Sequence, residues 1–444
     1  MLFKSTLVSK TWDTWMAFHE GTYYLYYSTS ETAPGDGFGV ATSTDGLHWR
    51  DHGRVLGPSE QMVRYLGAGS VWKDTGFEAP GRFLCNYSEW RKEGQAAVQS
   101  LLFAWSQDLI HWHKFGDEAM FRIDEVYYQK IKPDPRGPWE WPRWDGMCAI
   151  PRPQGGYYGY WTATPKKALG FGFGESPDGL HWQARQPPHI EWGDPPELYF
   201  VEVGGVHELE GRYYAMLGDY ASIHCGMFTL VADHPCGPFR PAAQNFGLLC
   251  NQSRMHAYFT RFLDAPSGVL VNHHVLARGQ FSDPDFETYF APLKRAVIRA
   301  GGLYLAWWEG NDGLRGAPIE VSSVGEQPIR FSPSAGILLE GRLDLPGSLF
   351  VGRGADRGVG IRMDASGVTE IGPGGPDWAG FQCEERVDRQ VSFPASPRFR
   401  LLLRQTMLEF YLDDLLIQCY MMANPADGMI LCQNANDLRL WQWA

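Results

Sequence analysis

Short hydrophobic and aromatic runs, each closed by a polar turn, follow one another through most of the chain. In the first unit, residues 15–19 and 23–28 alternate or run apolar on either side of Glu20-Gly21, and residues 38–43 form a third run. Runs of about four to eight such residues, joined by turns that contain Gly, are typical of antiparallel β-strands. No sustained helical period accompanies them. The pattern therefore predicts a succession of β-hairpins.

The unit recurs, and a short motif marks the end of its first three copies. An aspartate, a Leu or Ile and the pair His-Trp come together at residues 45–49, 108–112 and 178–182. The closing tryptophans are 63 and 70 residues apart, which suits one four-stranded sheet per unit, as in a β-propeller. We expect these tryptophans to lie in outer turns, where they wedge one blade against the next.

Two further units complete the predicted propeller. The fourth closes with Gly237-Pro238-Phe239 in place of His-Trp, and a more divergent fifth runs from about residue 256 to residue 297. We therefore predict an all-β chain in which residues 1–312 form a five-bladed β-propeller.

The rhythm changes after Trp307-Trp308-Glu309, where a cluster of Gly, Asp and Pro precedes a second set of strands. These predicted strands lie at residues 348–352, 358–363, 398–404, 408–412 and 415–421. Residues 399–414 alternate strand, tight turn and strand, as the hairpins of a sandwich do. We predict a C-terminal β-sandwich domain over residues 313–444.

Length and composition agree with this division. A chain of 444 residues is too long for one compact core, and its 18 Trp, 51 Gly and 30 Pro favour short strands joined by tight turns. The formal net charge of −12 repels a phosphate backbone, so we expect no nucleic-acid partner. Neither a signal peptide nor a membrane-spanning run is apparent, so we expect a soluble, cytoplasmic protein without membrane association.

The cysteines show no Cys-x-x-Cys spacing, which argues against a zinc knuckle or a redox motif. We expect buried free thiols instead. The eight are Cys85, Cys148, Cys225, Cys236, Cys250, Cys383, Cys419 and Cys432.

Three acidic residues occupy matched places at the starts of predicted innermost strands. Asp13, Asp145 and Glu202 lie eight, ten and nine residues before the turn glycine of blades one, three and four. A propeller gathers one inner strand per blade around a central pocket, so we expect the three side chains to converge. Cleavage of a glycosidic bond needs two carboxyl groups in opposite protonation states, which such a set can supply. The alternative is that the aspartates are ordinary turn or capping residues.

At these residues the chain resembles the five-bladed-propeller glycoside hydrolases of families 32, 68, 43 and 62, whose catalytic Asp, Asp and Glu begin inner strands of separate blades. Residues 202–214 resemble the family 43 stretch that carries the catalytic Glu, a short strand, Gly and Tyr-Tyr. Trp12-Asp13, followed by the aromatic residues 21–27, is similar to the first blade of families 43 and 32 equally. Residues 408–413 resemble a strand of the C-terminal module in families 32 and 68.

The resemblance implies a role for each acid. Glu202 would be the general acid, and Asp13 would be the nucleophile, as in family 32, or the base that activates water, as in family 43. Asp145 would hold sugar hydroxyls and tune the acid.

The chain departs from family 32 at each acid. That family has Asn-Asp-Pro-Asn-Gly, Arg-Asp-Pro and Glu-Cys-Pro, whereas here stand Trp12-Asp13-Thr14, Trp144-Asp145-Gly146 and Glu202-Val203-Gly204. All three prolines are missing. Arg143, the candidate clamp for a sugar hydroxyl, comes two residues before Asp145 instead of one.

Further candidates for substrate binding surround the acids. Trp12 and Trp144 could stack on the apolar face of a sugar ring, although packing between blades is the alternative. Trp90, on a predicted loop of blade two, could line the rim. His256 falls where many family 43 members place a histidine near the propeller axis, but a core histidine is the competing interpretation. We assign no metal and no cofactor.

Together these features favour a glycoside hydrolase that cleaves a furanoside or a short oligosaccharide, of the β-fructofuranosidase type. A family 43-like α-L-arabinofuranosidase or β-xylosidase is the rival enzyme, and a carbohydrate-binding propeller without turnover is the non-catalytic alternative. The partner is in each case a carbohydrate. The pattern does not determine the oligomeric state.

Overall fold

The computed structural model describes most of the chain. The described residues are 2–30, 35–74, 81–94, 96–130, 142–193, 198, 201–219, 226–252, 254–278, 286–321, 327–332, 336–352, 357–424, 426 and 428–443.

Antiparallel hairpins build four separate sheets between residues 11 and 241. The first sheet contains, in order, β1 (Thr11–His19), β2 (Thr22–Thr29), β3 (Gly37–Ser43) and β4 (Arg50–Leu56). In the second, two short strands pair with one long neighbour; its strands are β5 (Met62–Gly67), β6 (Val71–Lys73), β7 (Phe83–Glu93), β8 (Ala96–Ser106) and β9 (His113–Lys114). The third contains β10 (Trp144–Pro151), β11 (Tyr157–Ala163), β12 (Gly172–Ser176) and β13 (Gln183–Arg185). The fourth contains β14 (Glu202–Leu209), β15 (Arg212–Asp219), β16 (Gly226–Ala232) and β17 (Arg240–Pro241).

The predicted fifth unit is hydrogen-bonded to the C-terminal sheet. The strands from its start to the predicted propeller boundary are β18 (Ala257–Ala265), β19 (Gly268–Arg278), β20 (Glu287–Phe290), β21 (Lys294–Arg299) and β22 (Gly302–Trp307), of which β22 follows the predicted unit. The C-terminal strands are β23 (Arg315–Ile319), β24 (Ile329–Arg330), β25 (Ile337–Gly352), β26 (Gly358–Met363), β27 (Thr369–Gly374), β28 (Glu385–Val387), β29 (Arg398–Arg404), β30 (Met407–Leu412), β31 (Leu415–Met421) and β32 (Met429–Trp443). The two groups meet where Ala306 of β22 pairs with Leu415 of β31. Short 3₁₀ helices lie at Asp117–Ala119 and Glu309–Leu314.

The innermost strands form a closed arrangement around a centre. β1 lies beside β18, β18 beside β14, and β14 beside β10, while β10 and β1 both lie against β6. The amide of Asn272 on β19 donates a hydrogen bond of 2.9 Å to the Thr14 carbonyl on β1. The N-terminal segment also joins the first and fifth units, because Phe3 forms an antiparallel bridge with Phe290 of β20.

The recurring Asp-x-Leu/Ile-His-Trp motif forms the same turn each time. In the third copy, Oδ1 of Asp178 accepts hydrogen bonds from the backbone N–H groups of Leu180 and His181, at 2.9 and 2.8 Å. Nδ1 of His181 lies 2.6 Å from the other carboxylate oxygen. Partial burial opposes ionisation, but these hydrogen bonds win and lower the pKa of Asp178 to about 2.

The tryptophan after each turn packs on the sheet that precedes its own. Trp112 makes an edge contact with Tyr26 of the first sheet at 6.0 Å between ring centroids, and Trp182 does so with Trp72 of the second at 6.0 Å. Trp49 of the first sheet contacts Phe290 of β20 at 5.4 Å. The motif is therefore a structural wedge, and its first copy joins the two ends of the ring.

The structure confirms an all-β chain with a propeller-like arrangement of sheets, followed by a sheet-rich region. The count of five blades, the sandwich and the boundary at residue 312 stay predictions. Among the described residues, no helix has the length and hydrophobicity needed to cross a bilayer.

The described cysteines are free thiols, but burial holds for only some of them. Cys85, Cys148, Cys419 and Cys432 are buried, whereas Cys236 and Cys383 are exposed. The prediction of buried thiols is therefore wrong for Cys236 and Cys383, and Cys225 lies outside the described residues.

Candidate active site

Four innermost strands carry a β-bulge close to the centre of the ring. The register shifts lie between residues 12 and 14 of β1, 145 and 148 of β10, 203 and 205 of β14, and 258 and 261 of β18. A bulge inserts an extra residue and re-aims the side chains next to it. Asp13 lies inside the first bulge, Asp145 directly precedes the second, and Glu202 lies one residue before the shift in the third.

All three predicted acids are buried at these bulges, and one arginine links two of them. Asp13, Asp145 and Glu202 are 8%, 3% and 8% exposed. Nη2 of Arg143 lies 2.8 Å from Oδ2 of Asp145 and 2.9 Å from Oε1 of Glu202. Although the chain places Arg143 one residue further from Asp145 than family 32 does, its guanidinium still bridges two acids of neighbouring strands.

The remaining carboxylate oxygens find partners on other strands. The Tyr258 hydroxyl of β18 donates to Oε2 of Glu202 at 2.8 Å, and the Ser88 hydroxyl of β7 donates to Oδ1 of Asp145 at 2.5 Å. The side-chain amide of Gln99 donates to Ser88 at 3.2 Å. Asp145 and Glu202 are thus held in defined orientations by side chains of the second, third and fifth units.

Asp13 is the acid whose ionisation is most clearly opposed. Burial raises its pKa well above the ordinary value of 3.8, and the negative charges of Glu202 and Asp145 raise it further. The guanidinium groups of Arg261 and Arg143 oppose this effect without overcoming it. The surroundings of Asp13 therefore favour its protonated form.

The backbone at Asp13 is strained as well. Its φ angle is +34°, in a region that residues with a Cβ rarely adopt. Tyr65 of β5, at φ +43°, shares this feature, and its pKa is raised by burial and then by the charges of Asp13 and Asp145. Strain of this kind persists where surrounding structure over-determines the conformation, which is common at active sites.

The four other residues predicted to bind substrate are buried, so little of their surface is open to a ligand. Trp12, beside Asp13, is 7% exposed and packs edge-on to Phe286 at 5.9 Å. Trp144 is fully buried, and its indole N–H donates to the Phe121 carbonyl at 3.0 Å, so its ring has no open face.

Trp90 and His256 are both buried. The prediction of a loop at Trp90 is wrong, because β7 continues through it and the side chain is buried. His256 is fully buried, and its Nδ1 accepts a hydrogen bond of 2.8 Å from the Met421 N–H of the C-terminal sheet. Its Nε2 lies 3.5 Å from Glu385, so the histidine faces the C-terminal region.

Sequence reasoning missed several residues of the cluster: Tyr65, Ser88, Gln99, Tyr258 and Arg261. For two of them, Tyr258 and Arg261, the position of the bulge in the other units offered a clue. The inner strand of the fifth unit begins at Ala257, and the bulge position seen in the other units points to residues 258–261 instead of His256.

The cluster can perform acid–base chemistry on a small polar substrate. It combines three carboxyl groups, of which Asp13 has a raised pKa, with guanidinium and hydroxyl donors in a buried setting, where electrostatic effects are strong. Within the part of the chain that the structure describes, no group of three or more metal-ligating side chains has the geometry to hold a metal ion.

Comparison by sequence gives no match to a protein-family model and none to a curated protein. Comparison by structure gives matches along nearly the whole chain. Sucrose-6-phosphate hydrolase from Lactobacillus gasseri superposes with a TM-score of 0.72 at 13% identity, covering 99% of this chain and 94% of its own.

Two further matches have the same extent. The family 32 β-fructofuranosidase of Bombyx mori gives a TM-score of 0.68 at 14% identity, over 98% of this chain and 91% of its own. Fructan 1-exohydrolase IIa from Cichorium intybus gives 0.67 at 13% identity, over 99% and 96%. Variants of these two enzymes have been solved with sucrose and with 1-kestose, respectively. At such low identity the likeness establishes the fold, from the propeller-like part through the C-terminal sheets.

Proposed function

We propose that this chain is a glycoside hydrolase of the β-fructofuranosidase type, which cleaves a furanoside or a short oligosaccharide between Asp13, Asp145 and Glu202. The observation that carries the proposal is the bridge from Arg143 to both Asp145 and Glu202, with Asp13 close enough for their charges to raise its pKa. The names of the structural matches support the sugar class, since all three act on fructosyl compounds by name.

Each acid has a distinct role in the proposed reaction. Glu202 protonates the oxygen of the leaving group, and Asp13, once ionised, attacks the anomeric carbon as the nucleophile. A water then hydrolyses the glycosyl-enzyme with Glu202 acting as base. Asp145, held by Ser88 and Arg143, accepts hydrogen bonds from sugar hydroxyls.

These roles require a proton on Glu202 and an ionised Asp13, whereas the raised pKa of Asp13 favours its protonated form. Interacting carboxyl groups titrate as one set, so the two arrangements differ only in which oxygen holds the proton. The proposed cycle therefore includes transfer of this proton from Asp13 to Glu202 before the glycosidic bond breaks.

The variant Glu202→Gln tests the role of the acid. On sucrose, whose glucose leaving group needs a proton, we expect kcat/KM to fall by about a hundredfold to ten-thousandfold. On an aryl β-fructofuranoside with an acidic phenol, which leaves without a proton, the loss is expected to be far smaller. Initial rates on both substrates measure the difference.

Glu208→Gln is the matched control, because Glu208 is on the same strand β14 but exposed to solvent. It should keep the activity of the unmodified chain on both substrates. Equal losses of Glu202→Gln on the two substrates would contradict the role of general acid, and no loss on either would remove Glu202 from the mechanism.

A further inference from the structure

Arg261 is a buried guanidinium beside the acid cluster that contacts backbone instead of acid. It follows the bulge of β18 and is 2% exposed. Its Nη1 donates to the Val203 carbonyl at 2.7 Å and also to that of Gly204, and its Nη2 donates to the Gly146 carbonyl at 3.1 Å. One side chain thus joins β18 to β10 and β14, at the residues directly after Asp145 and Glu202.

The two glycines that Arg261 contacts are required by the backbone. Gly146 has a φ angle of +61°, which proline, with φ fixed near −65°, cannot adopt. A Cβ on Gly204 would lie 2.8 Å from the Thr260 carbonyl oxygen and 2.9 Å from that of Met216. Proline stands at both positions in the family 32 motifs, so this chain must restrain the same backbone by other means.

A guanidinium is suited to this restraint. It is planar, carries five N–H donors in a fixed fork, and is costly to bury unless its donors are paired. The Arg261 guanidinium also lies over the Phe259 ring, 4.5 Å from its centroid, which fixes the plane of the fork. The three carbonyl groups are therefore held relative to one another by one rigid group.

We propose that Arg261 is a positioning residue, which fixes the backbone behind Asp145 and Glu202 and thereby sets the relative placement of the two carboxyl groups. This inference rests on the proposed function for its effect on turnover. A displacement of reacting groups by about 1 Å is enough to cost a hundredfold in rate.

The charge of Arg261 has a second, separable effect. Because it lowers the pKa of Asp13, its loss leaves that carboxyl more strongly protonated. The charged and titratable groups that act on Asp13 or on its neighbours in the cluster are Glu202, Asp145, Arg143, Arg261, Tyr65 and Tyr258.

Two substitutions separate geometry from charge. Arg261→Lys keeps the charge but replaces the planar fork with a single ammonium, so we expect kcat on sucrose to fall about tenfold or more, with KM changed less than about threefold and the acidic limb of the pH profile near that of the unmodified chain. Arg261→Met removes both the charge and the planar fork. We therefore expect a larger loss of kcat and a shift of the acidic limb of the pH profile to higher pH.

Arg389→Met is the matched control. Arg389 is 5% exposed, and its guanidinium donates to the carbonyl groups of Gly247 and Ile417, between the propeller-like part and the C-terminal sheet. We expect this variant to lower the midpoint of thermal unfolding while kcat and the pH profile of the folded fraction stay unchanged.

The outcomes decide between positioning and plain stabilisation. Arg261 variants with unaltered kcat and pH profile per folded molecule would overturn the proposal, as would an equal loss of kcat in Arg389→Met. If Arg261→Met does not fold, kcat and KM of Arg261→Lys alone decide. If the unmodified chain hydrolyses no glycoside, the proposed function fails by itself. The NMR shifts of the Asp145 and Glu202 carboxyl carbons in the unmodified chain and in Arg261→Lys then test placement, and identical shifts would overturn the proposal.

Discussion

At the scale of single residues, the position of Asp13 is unfavourable both for its ionised carboxyl group and for its backbone. Asp13 is buried, lies next to two other carboxyl groups and has a left-handed backbone, all of which destabilise its ionised form or its conformation. Such features are expected where function, and not stability, selects a residue.

The variant Asp13→Asn tests whether Asp13 lowers the stability of the fold. A carboxyl group whose pKa is raised by folding contributes its stability fully below pH 3.8, its ordinary pKa, and this contribution is lost as the pH rises through the folded value. Asn removes the ionisation and tolerates a positive φ better than most residues.

We therefore expect Asp13→Asn to unfold at a higher temperature than the unmodified chain at pH 7, by about 2 °C or more. The difference should shrink as the pH falls toward 4. Thermal melts followed by circular dichroism from pH 4 to 7 measure it. A lower melting temperature at pH 7 would show that Asp13 stabilises the fold.

The acids could be found from sequence because each lies a similar distance before a turn glycine. Which residues pair with them could not be found in this way, since Tyr258 lies 56 residues from Glu202, and Arg261 lies 115 from Gly146. Such pairs depend on how the inner strands are arranged around the centre of the ring. Neither local periodicity nor a single motif indicates that arrangement.

At the scale of secondary-structure elements, alternating and apolar runs predicted most strands closely. Strands β26, β29 and β31 have the predicted bounds. β5 escaped prediction because bulges break its alternation, and the register with β7 shifts between Met62 and Arg64 and again before Leu66. The long strand β32 was missed as well, because polar residues interrupt its alternation.

The repeated turns offer a test at this scale. Asp178→Ala removes an acceptor of two backbone hydrogen bonds and the partner of His181, so we expect a loss of about 1 to 2 kcal/mol in the free energy of unfolding at pH 7. Asp178→Asn, which keeps one acceptor oxygen, should lose less.

The pH dependence of these variants follows from the lowered pKa of Asp178. A depressed folded pKa gives stability that is present above the ordinary value and is lost as the pH falls through about 2. The loss of unfolding free energy in Asp178→Ala, relative to the unmodified chain, should therefore diminish between pH 4 and 2 in denaturant titrations. A deficit that stays constant over this range would contradict an ionised Asp178 as the organiser of the turn.

At the scale of the whole molecule, buried polar contacts join the propeller-like part to the C-terminal sheets. Lys294 of β21 contacts Glu409 of β30 at 2.5 Å and His273 at 2.8 Å, and all three side chains are fully buried. The Tyr411 hydroxyl donates to the second oxygen of Glu409 at 2.6 Å. The C-terminal sheets therefore brace the ring from which the acids project, in agreement with structural matches that extend through both parts.

The measurement that tests the central claim most directly is the release of fructose by the purified full-length chain and by Asp13→Asn, side by side, from sucrose, 1-kestose and inulin. The account predicts catalytic release from at least one of these by the unmodified chain, and a loss of several orders of magnitude in Asp13→Asn without loss of fold. No release of fructose from any of them, or equal release by both proteins, would contradict a fructofuranosidase built on these acids.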